Sequence, residues 1–398
     1  MLQKPDFLII GAGVIGLSLA REIKSRFPKS SICIIEKESG IGMHSSGRNS
    51  GVLHAGFYYT ADSLKAKFTK NGNLELSQYC EENHLKILKT GKLILLKSEK
   101  DLKGSDELQN RAKINGIELK KISLEELKSI EPNAKSFSHA LWSPTTSSID
   151  PLELINHIMK KLIDQNVDFF FNEPFISFRK NHVFTKNCTF EAGMIINTSG
   201  LYSHAIAKAF DVDHNFEILP FKGVYLYKSG ENNFLKTHLY PVPDLNNPFL
   251  GVHFTITVDQ KVKIGPTAMP AFWNEQYEGF RNFQFSEFVQ LSLKHLKLSM
   301  SAPFNFRELA MEEIKKNYKP YLINQASYMV NQINPSQWKT WGRSGIRAQL
   351  IDKTNSQLVQ DFKVFKKNNS IHILNAVSPG LTCAFPFAKY LCDQYIES

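Results

Sequence analysis

Three glycines near the N-terminus have the types and spacing that contact with a phosphate group requires. Gly11, Gly13 and Gly16 follow the short apolar run Phe7–Ile10 and precede a helical pattern. The first glycine permits a tight turn, the second lets a pyrophosphate approach the backbone, and the third lets the helix pack closely on the strand. The start of that helix also offers N–H groups and partial positive charge. The pattern predicts a bound dinucleotide.

An acid ends the second predicted strand, where an adenosine ribose would need one. The apolar run Ile32–Ile35 reads as that strand, and Glu36 follows it, twenty residues after Gly16. An acid at this position hydrogen-bonds the ribose hydroxyls. A merely structural glycine turn is the alternative. We favour the dinucleotide because strand, helix, second strand and acid all occur in order.

Two further segments indicate FAD rather than NAD. Only one glycine fingerprint follows a strand, so a second Rossmann domain for NAD(P)H is not expected, and one tightly held FAD would be reduced by the substrate itself. The buried strand Met194–Asn197 ends in the small-residue turn Thr198–Gly200, a second nucleotide-side signal. The polar, glycine-rich loop His44–Gly56 lies directly after the second strand, where Ser45 and Ser46 can donate to phosphate. A plain surface loop is the alternative.

Near the C-terminus, the segment Asn375–Thr382 precedes a predicted last helix. Backbone N–H groups at that helix start can meet the flavin O2/N1 edge and stabilise the anionic reduced ring. Pro386 is expected near the first turn, where proline is tolerated. Cys383 is either a covalent attachment point or an inert buried thiol, and we predict non-covalent FAD.

The predicted cofactor-binding set combines these segments. Its members are Gly11, Gly13, Val14, Ile15, Gly16, Glu36, Lys37, Ser45, Ser46, Asn49, Ser50, Gly51, Phe175, Ser199, Gly200, Ser378, Gly380, Leu381 and Thr382.

Composition limits the classes of partner. The 398 residues are enough for two or three domains, and no apolar run approaches the roughly 20 residues that span a bilayer. The formal net charge of +10 indicates an anionic substrate or an acidic membrane surface, or only a compositional bias toward lysine. Because the lysines are dispersed, we expect no nucleic acid. The five scattered cysteines predict neither a metal site nor disulfides, and they favour a reducing, cytoplasmic compartment.

Element patterns predict an α/β fold, α+β overall, in which a Rossmann-type FAD-binding domain carries an inserted antiparallel β-sheet substrate domain. The predicted FAD-binding domain comprises residues 1–84, 151–214 and 341–398, and the substrate domain 85–150 and 215–340. Because the glycine fingerprint begins at residue 11, we expect no signal peptide. Helix Leu64–Asn83 is expected to pack on the first domain, 218–266 to form the antiparallel sheet, and 284–333 to be mostly helical. Strands are expected at Leu358–Phe365 and His372–Asn375.

Several long segments resemble the FAD-dependent D-amino-acid oxidase superfamily, and within it the L-2-hydroxyglutarate oxidase/dehydrogenase group. They are Asn49–Tyr59, Ser63–Lys67, Tyr240–Asp244, Pro248–Thr255, Gly265–Pro266 and Gly345–Gln349. The resemblance implies FAD, oxidation of L-2-hydroxyglutarate to 2-oxoglutarate, and transfer of electrons to oxygen or a respiratory quinone. A peripheral contact with the inner face of a membrane stays open.

The chain departs from the group's usual pattern at several positions. Arg48 stands where the group has His, Val224 where it has an acid, Thr267 where it has Asn, and Ala376–Gly380 reads AVSPG in place of APSPA. Because the missing acid at Val224 bears on substrate identity, a related 2-hydroxy acid, or an amine or amino acid, stays open. A non-enzymatic flavin-bearing subunit is the alternative from another class.

Oxidation of a 2-hydroxy acid needs a carboxylate clamp and a base for the hydroxyl proton. Arg347 is the predicted clamp, because a guanidinium binds a carboxylate through two parallel hydrogen bonds. His253 and His54 are the candidate bases, and we favour His253, which is expected on a strand facing the flavin. Each histidine is alternatively a hydrogen-bonded core residue. Further predicted substrate contacts are Tyr59, Tyr225, Tyr240 and Lys222.

Overall fold

The computed structural model describes residues 2–212, 215–244, 250–301 and 305–397. Pro248 and Phe249 of the family-like segment, the predicted boundary residue His214, and residues 302–304 of the predicted helical region lie outside these ranges. Contacts divide the chain into two compact units. The first comprises Met1–Asn49, Pro151–Pro220 and Ile346–Ser398, and the second comprises Ser50–Asp150 and Phe221–Gly345.

The helices and strands are numbered along the chain. The helices are α1 Val14–Arg26, α2 Leu64–Glu82, α3 Leu102–Ile114, α4 Leu124–Ile130, α5 Pro151–Asp164, α6 Ser203–Ala209, α7 Phe285–Ser301, α8 Phe306–Lys315, α9 Lys319–Ser327 and α10 Gly380–Leu391. The strands are β1 Leu2–Gln3, β2 Phe7–Ile10, β3 Ile32–Ile35, β4 Val52–Leu53, β5 Ile87–Leu88, β6 Lys92–Leu95, β7 Lys120–Ile122, β8 Ala140–Ser143, β9 Ser147–Ile149, β10 Val167–Phe170, β11 Ser177–Arg179, β12 His182–Phe184, β13 Thr189–Phe190, β14 Met194–Asn197, β15 Phe216–Gly223, β16 Leu226–Lys228, β17 His238–Pro241, β18 His253–Ile256, β19 Val262–Gly265, β20 Met269–Pro270, β21 Trp338–Trp341, β22 Gly345–Asp352, β23 Gln357–Leu358, β24 Val364–Lys367 and β25 Ser370–Ile373.

A six-stranded sheet in the order β10-β3-β2-β14-β25-β24 forms the centre of the first unit. All neighbours pair in parallel except β24 and β25. The central strands are buried on both faces, which explains why they read as continuous apolar runs such as FLII and ICII. Helices α5 and α10 pack against α1. The predicted α/β class is confirmed.

An eight-stranded sheet in the order β21-β16-β19-β18-β17-β6-β8-β7 forms the centre of the second unit. One face is apolar and packs with helix α9: Leu93, Leu239, Phe254 and Ile264 lie in a core cluster with Leu322. Successive side chains on a strand point to opposite faces. The residues between these apolar positions therefore belong to the other face of the sheet.

The division into units differs from the sequence-predicted domains. Residues 50–84 lie in the second unit, where α2 packs against β4 and β5. The buried Asn73 amide donates to Leu53 O at 3.0 Å and to Thr145 O at 3.2 Å, which fixes α2 there. Residues 215–220 lie in the first unit and 341–345 in the second.

Three local expectations near the C-terminus need correction. The predicted strand Leu358–Phe365 consists of two short strands, β23 and β24, and the strand predicted at His372–Asn375 begins earlier, as β25. Pro386 lies in the interior of α10, seven residues into the helix that begins at Gly380, and not in its first turn.

Candidate functional site

The glycine turn, Gly11–Gly16, follows the strand at which the order of strands in the first sheet reverses. Strand β2 continues through α1 to β3 on one side, whereas β14 pairs with β2 on the other. Ligands of open α/β sheets bind at this switch point, outside the carboxyl ends of the strands. Gly11 and Thr198 follow the adjacent ends of β2 and β14, and Glu36 follows the end of β3.

The backbone approach at this turn leaves no room for side chains. Gly11 has φ +107°, and a Cβ there would meet Thr198 O and Ser199 Cα at 3.0 Å. At Gly16, a Cβ would lie 2.2 Å from Gly11 O. These two glycines are therefore required for the turn itself and for helix α1 to pack against it.

Glu36 and Ser46 hold the two sides of the turn. Glu36 Oε2 accepts a hydrogen bond from Ala12 N at 3.0 Å, so its carboxylate lies at the turn, as a ribose-binding acid would. Ser46 Oγ accepts from Val14 N at 2.9 Å, at the start of α1, and Asn49 Nδ2 donates to Ser46 O at 2.9 Å. The neighbouring Ser45 hydroxyl donates to Ile346 O at 2.8 Å.

Thr198 and Asn197 were missed by the sequence analysis. Thr198 Oγ1 donates to Gly11 O at 2.9 Å, which joins the end of β14 to the glycine turn. Asn197 Oδ1 accepts from Ser199 Oγ at 2.6 Å, and its amide donates to Ser203 O at 2.7 Å. The small-residue turn Thr198–Gly200 indicated that this segment lies near the nucleotide. It did not predict which side chains form the hydrogen bonds of the turn.

The remaining predicted cofactor residues lie at the start of α10, beside aromatic rings of the first unit, and in the second unit. Cys383 N donates the first bond of α10, to Pro379 O, so the N–H groups of Gly380–Thr382 precede it at the helix start. Cys383 is fully buried, whereas Ser378 is exposed. The Phe175 ring stacks on Phe210 at 6.1 Å. Lys37 lies over the Tyr202 ring at 5.1 Å, and the predicted residues Ser50 and Gly51 belong to the second unit.

In the second unit, one face of the eight-stranded sheet is polar yet buried. We call it the polar face and define it as Lys92, His238, Tyr240, His253, Thr255 and Lys263, each at most 3% exposed. Strand register places Lys92, His238, Thr255 and Lys263 in one row across four strands, with Tyr240 and His253 in the next. Burying titratable groups costs free energy of folding, and groups with strongly shifted pKa values cluster at functional sites, so this face is a functional-site candidate.

Two lysines of the polar face are enclosed by aromatic rings. Lys92 Nζ lies 4.7–4.8 Å from the ring centroids of Phe57, Tyr58 and Tyr240, and no hydrogen-bond partner for it occurs among the described residues. Lys263 Nζ donates to Ser50 O at 3.1 Å and lies 4.4 Å from the Tyr225 ring. Burial lowers the pKa of Lys92 to about 7 and that of Lys263 to about 8.

Hydrogen bonds distinguish two of the histidines. His253 Nδ1 lies 2.8 Å from Gly251 O, so Nδ1 carries the proton and Nε2 is the basic nitrogen. His253 also stacks on Tyr240, with ring centroids 3.8 Å apart. His238 Nδ1 instead accepts from Ile256 N at 3.1 Å, which ties β17 to β18. His253 is therefore the better base candidate, and His238 is held by a structural bond.

The electrostatic field at these histidines is positive. Burial first, and then the nearby cation Lys92, lower the pKa of His253 and of His238 to about 3. Burial and then Lys92 also hold the pKa of the partly buried His54 well below its usual range. Lys92 therefore acts on all three rings, and Lys263 acts on His253 and His238 as well. The polar face is therefore suited to an anion, whose charge would offset the lysines.

Three other predicted substrate residues lie on other segments of the chain. Lys222 lies on β15, and burial lowers its pKa although the charge of Glu278 acts in the opposite direction. Tyr59 O accepts from Asn115 Nδ2 at 3.1 Å. Arg347 lies half-buried on β22, in the first unit.

Comparisons with known proteins place the chain in a family. The sequence profile described as "FAD dependent oxidoreductase" matches residues 6–394. The chain belongs to this family. An L-2-hydroxyglutarate dehydrogenase of Escherichia coli O17:K52:H18 is 32% identical over 397 residues, covering 98% of this chain and 92% of that protein. The mitochondrial L-2-hydroxyglutarate dehydrogenase of Nematostella vectensis is 32% identical over 420 residues, covering 98% and 90%.

Solved structures show the same fold. L-α-glycerophosphate oxidase from Mycoplasma pneumoniae, solved with FAD bound, matches with a TM-score of 0.77 at 22% identity and covers 97% of this chain and 93% of that one. Glycine oxidase from Geobacillus kaustophilus matches with a TM-score of 0.73 at 15% identity, covering 99% and 95%. The predicted resemblance and the predicted FAD cofactor are thereby confirmed.

The first unit of this FAD-dependent oxidoreductase fits the cofactor's nucleotide portion. Gly11 and Gly13 have no side chain that could obstruct a pyrophosphate, the start of α1 offers backbone N–H groups, and the Glu36 carboxylate lies at the turn.

The buried Lys92 gives a prediction for stability against pH. Replacing Lys92 by Met should raise the free energy of unfolding, because the folded state disfavours the ammonium form. The unfolded lysine binds its proton up to pH 10.5, whereas the folded one loses it at about pH 7. The gain should therefore be constant below pH 7 and shrink by about 1.4 kcal/mol per pH unit from 7 to 10.5.

Urea unfolding of both proteins across this pH range measures the effect. Lys103→Met replaces an exposed lysine on α3 and is the matched control, which should show no such pH dependence. A pH-independent difference between Lys92→Met and wild type would contradict the assignment of a desolvated amine to Lys92.

Proposed function

We propose that this chain oxidises L-2-hydroxyglutarate, or a closely related 2-hydroxy acid, to the 2-oxo acid. The observation that carries the proposal is the identity of about one third, over 98% of the chain, to proteins named L-2-hydroxyglutarate dehydrogenase. The polar face supports it independently, because two buried lysines without a carboxylate partner among the described residues suit a dicarboxylate. Bound FAD would supply the two-electron acceptor for the hydrogen at C2, with oxygen or a quinone as the proposed final acceptor.

His253 is the proposed base. Its Nδ1–H is committed to Gly251 O, so Nε2 is the atom that takes the proton of the substrate hydroxyl. Stacking on Tyr240 fixes the plane of the imidazole. The low pKa of the free site keeps the ring neutral at working pH, and the negative charge of a bound substrate raises that pKa toward the range of an effective base.

Arg347 is the proposed clamp for the substrate carboxylate, and Tyr240, Tyr225, Tyr59 and Lys222 are proposed substrate contacts. We also propose non-covalent FAD and a reducing, cytoplasmic location, because the five scattered cysteines favour a reducing compartment. No helix in the described part of the chain is long and apolar enough to cross a membrane.

Arg347→Lys tests the clamp. The lysine keeps the positive charge but loses the two parallel hydrogen bonds, so KM for the hydroxy acid should rise while FAD stays bound. A charge-assisted hydrogen bond contributes roughly 1.5–3 kcal/mol, which corresponds to about a 10- to 150-fold rise. Steady-state kinetics and the flavin absorbance measure the two quantities. An unchanged KM would remove Arg347 from substrate binding.

Turnover of a reporter dye with a panel of acids tests the proposed function. The panel contains both enantiomers of 2-hydroxyglutarate, L-malate, L-lactate, L-glutamate, glycine and sarcosine. We expect the highest kcat/KM with L-2-hydroxyglutarate. Faster turnover of an amino acid would replace the proposal by an amino-acid oxidase, and no turnover of any of them would favour a non-enzymatic flavin-bearing subunit.

A further inference from the structure

Lys92 of the polar face is a buried amine whose hydrogen-bonding groups are unused within the described part of the chain. It is fully buried on β6, and its Nζ has no hydrogen-bond partner among the described residues. Lys263, in the same row of the sheet, differs because its Nζ donates to Ser50 O at 3.1 Å. A buried ammonium without an acceptor costs free energy of folding. The N–H groups of Lys92 are therefore the ones available to a bound ligand.

Aromatic rings surround this amine without satisfying it. Lys92 Nζ lies 4.8 Å from the ring centroids of Phe57 and Tyr58 and 4.7 Å from that of Tyr240. The face of an aromatic ring attracts a cation but does not replace a hydrogen-bond acceptor. The Tyr58 hydroxyl is buried as well, and it too has no hydrogen-bond partner in the described ranges. Two neighbouring side chains thus present donors, one of them cationic, to the same missing acceptor.

The position of Lys92 relative to His253 separates the two ends of a ligand. Strand β17, which carries Tyr240, lies between β18 of His253 and β6 of Lys92. The Tyr240 ring contacts both side chains: the His253 ring stacks on it at 3.8 Å, and Lys92 Nζ lies 4.7 Å from its centroid. A substrate whose hydroxyl reaches His253 would therefore present a different, more distant group to Lys92.

We propose that Lys92, together with the Tyr58 hydroxyl, binds the second carboxylate of the substrate, the one farther from the reacting C2, and so selects dicarboxylates over monocarboxylates. The inference rests on the proposed oxidation of a 2-hydroxy acid and adds the residues that set the substrate class. A carboxylate supplies the negative charge and the lone pairs that both donors lack. An acid with a methyl group at that end leaves the donors unsatisfied, which is a strong basis for rejection.

Binding of a carboxylate at Lys92 should also take up a proton. Burial lowers the pKa of Lys92 to about 7, so at about pH 8.5 the amine of the ligand-free protein is mostly neutral. A carboxylate in contact with it favours the ammonium form and raises that pKa. The other titratable side chains of the polar face and of the surrounding rings are Tyr58, Tyr240, His54, His238, His253 and Lys263.

Only part of this group contributes protons at that pH. His238 and His253 have pKa values of about 3 and stay neutral, whereas Lys263, with a pKa of about 8, takes up some protons with or without Lys92. The difference in proton uptake between wild type and Lys92→Met therefore reports Lys92 itself.

The substrate selectivity of Lys92→Met tests the assignment. The substrates are L-2-hydroxyglutarate and L-2-hydroxypentanoate, which has a methyl group in place of the second carboxylate. Methionine is unbranched and apolar, so the variant should be at least as stable as wild type. We expect kcat/KM for L-2-hydroxyglutarate to fall about 10- to 150-fold, as for a lost charged hydrogen bond, and kcat/KM for L-2-hydroxypentanoate to stay within a few-fold. Lys103→Met, exposed on α3, is the control and should keep both values.

Glutarate binding separates this inference from the proposed function, because glutarate has both carboxylates and no hydroxyl to oxidise. Calorimetric titration of the FAD-loaded protein at about pH 8.5, in two buffers of different ionisation enthalpy, gives the affinity and the number of protons taken up. We expect Lys92→Met to bind glutarate about tenfold or more weakly and to take up close to one proton fewer than wild type. Tyr58→Phe should weaken binding but keep the proton uptake.

Two results would overturn the proposal. An equal fall in kcat/KM for both acids in Lys92→Met would show that Lys92 acts on the reacting end of the substrate and does not select the second carboxylate. Unchanged glutarate affinity and proton uptake in this variant would remove Lys92 from ligand binding. Glutarate binding that depends on Lys92, in a protein that does not oxidise L-2-hydroxyglutarate, would instead support the carboxylate site and reject the proposed function.

Discussion

Gly13→Val should yield a folded protein that no longer retains FAD. Gly13 is the N-cap of α1, and a Cβ there would already lie 3.1 Å from Ser46 Oγ, which accepts the hydrogen bond from Val14 N. A branched side chain at this point would both displace Ser46 and intrude where the backbone must approach a pyrophosphate. The ratio of flavin absorbance to protein after gel filtration measures the loss, which should be nearly complete.

Gly40→Val is the matched control, because nothing lies within 4 Å of a Cβ at Gly40 in the same unit. This variant should keep the wild-type flavin ratio. Far-ultraviolet circular dichroism of both variants confirms that the sheets are formed. Normal FAD content in Gly13→Val would contradict the assignment of the glycine turn to the pyrophosphate.

His253→Gln should slow anaerobic flavin reduction by roughly 10²–10⁴-fold, the usual contribution of a general base. Glutamine has a similar length but cannot take a proton at Nε2, the nitrogen left basic by the Nδ1 bond to Gly251 O. Stopped-flow absorbance of the FAD-loaded protein measures the rate at saturating substrate. FAD content should be unchanged, because His253 is not among the predicted cofactor-binding residues.

His54→Gln and His238→Gln are the comparison variants. His54 should show a much smaller loss, and His238→Gln should lower the unfolding temperature more than the rate, because its Nδ1 accepts the Ile256 N–H between two strands. Rates within a few-fold of wild type for His253→Gln would exclude His253 as the base.

The elements with local signals were predictable from the sequence. Strand β2, the glycine turn and α1 follow one another within twenty residues, so apolar runs and glycine spacing suffice to define them. The amphipathic pattern predicted α2, but the helix packs against β4 and β5 of the second unit and not on the first domain as expected. Periodicity shows which face of a helix is buried and not what buries it. The position of Pro386 depended on where α10 begins, and helix boundaries carry weak signals.

The candidate functional residues of the two units differ in the same way. Glu36 and the glycines were found because their spacing is local. Lys92, His238 and Lys263 were missed, since β6, β17 and β19 are far apart in the sequence and only strand pairing aligns them. A signal existed in the alternation of polar and apolar residues in HLYP and VKIG, which predicts a polar sheet face but not that this face is buried.

Anaerobic mixing of the FAD-loaded protein with the separate enantiomers of 2-hydroxyglutarate tests the central claim most directly. We expect L-2-hydroxyglutarate to bleach the flavin absorbance completely and the D-enantiomer to leave it unchanged on the same timescale. The proposed carboxylate clamp and base would fix which face of C2 presents its hydrogen, so we do not expect both hands to react equally. Equal bleaching by the two enantiomers, or faster bleaching by glycine or an L-amino acid, would contradict the proposed oxidation of an L-2-hydroxy acid.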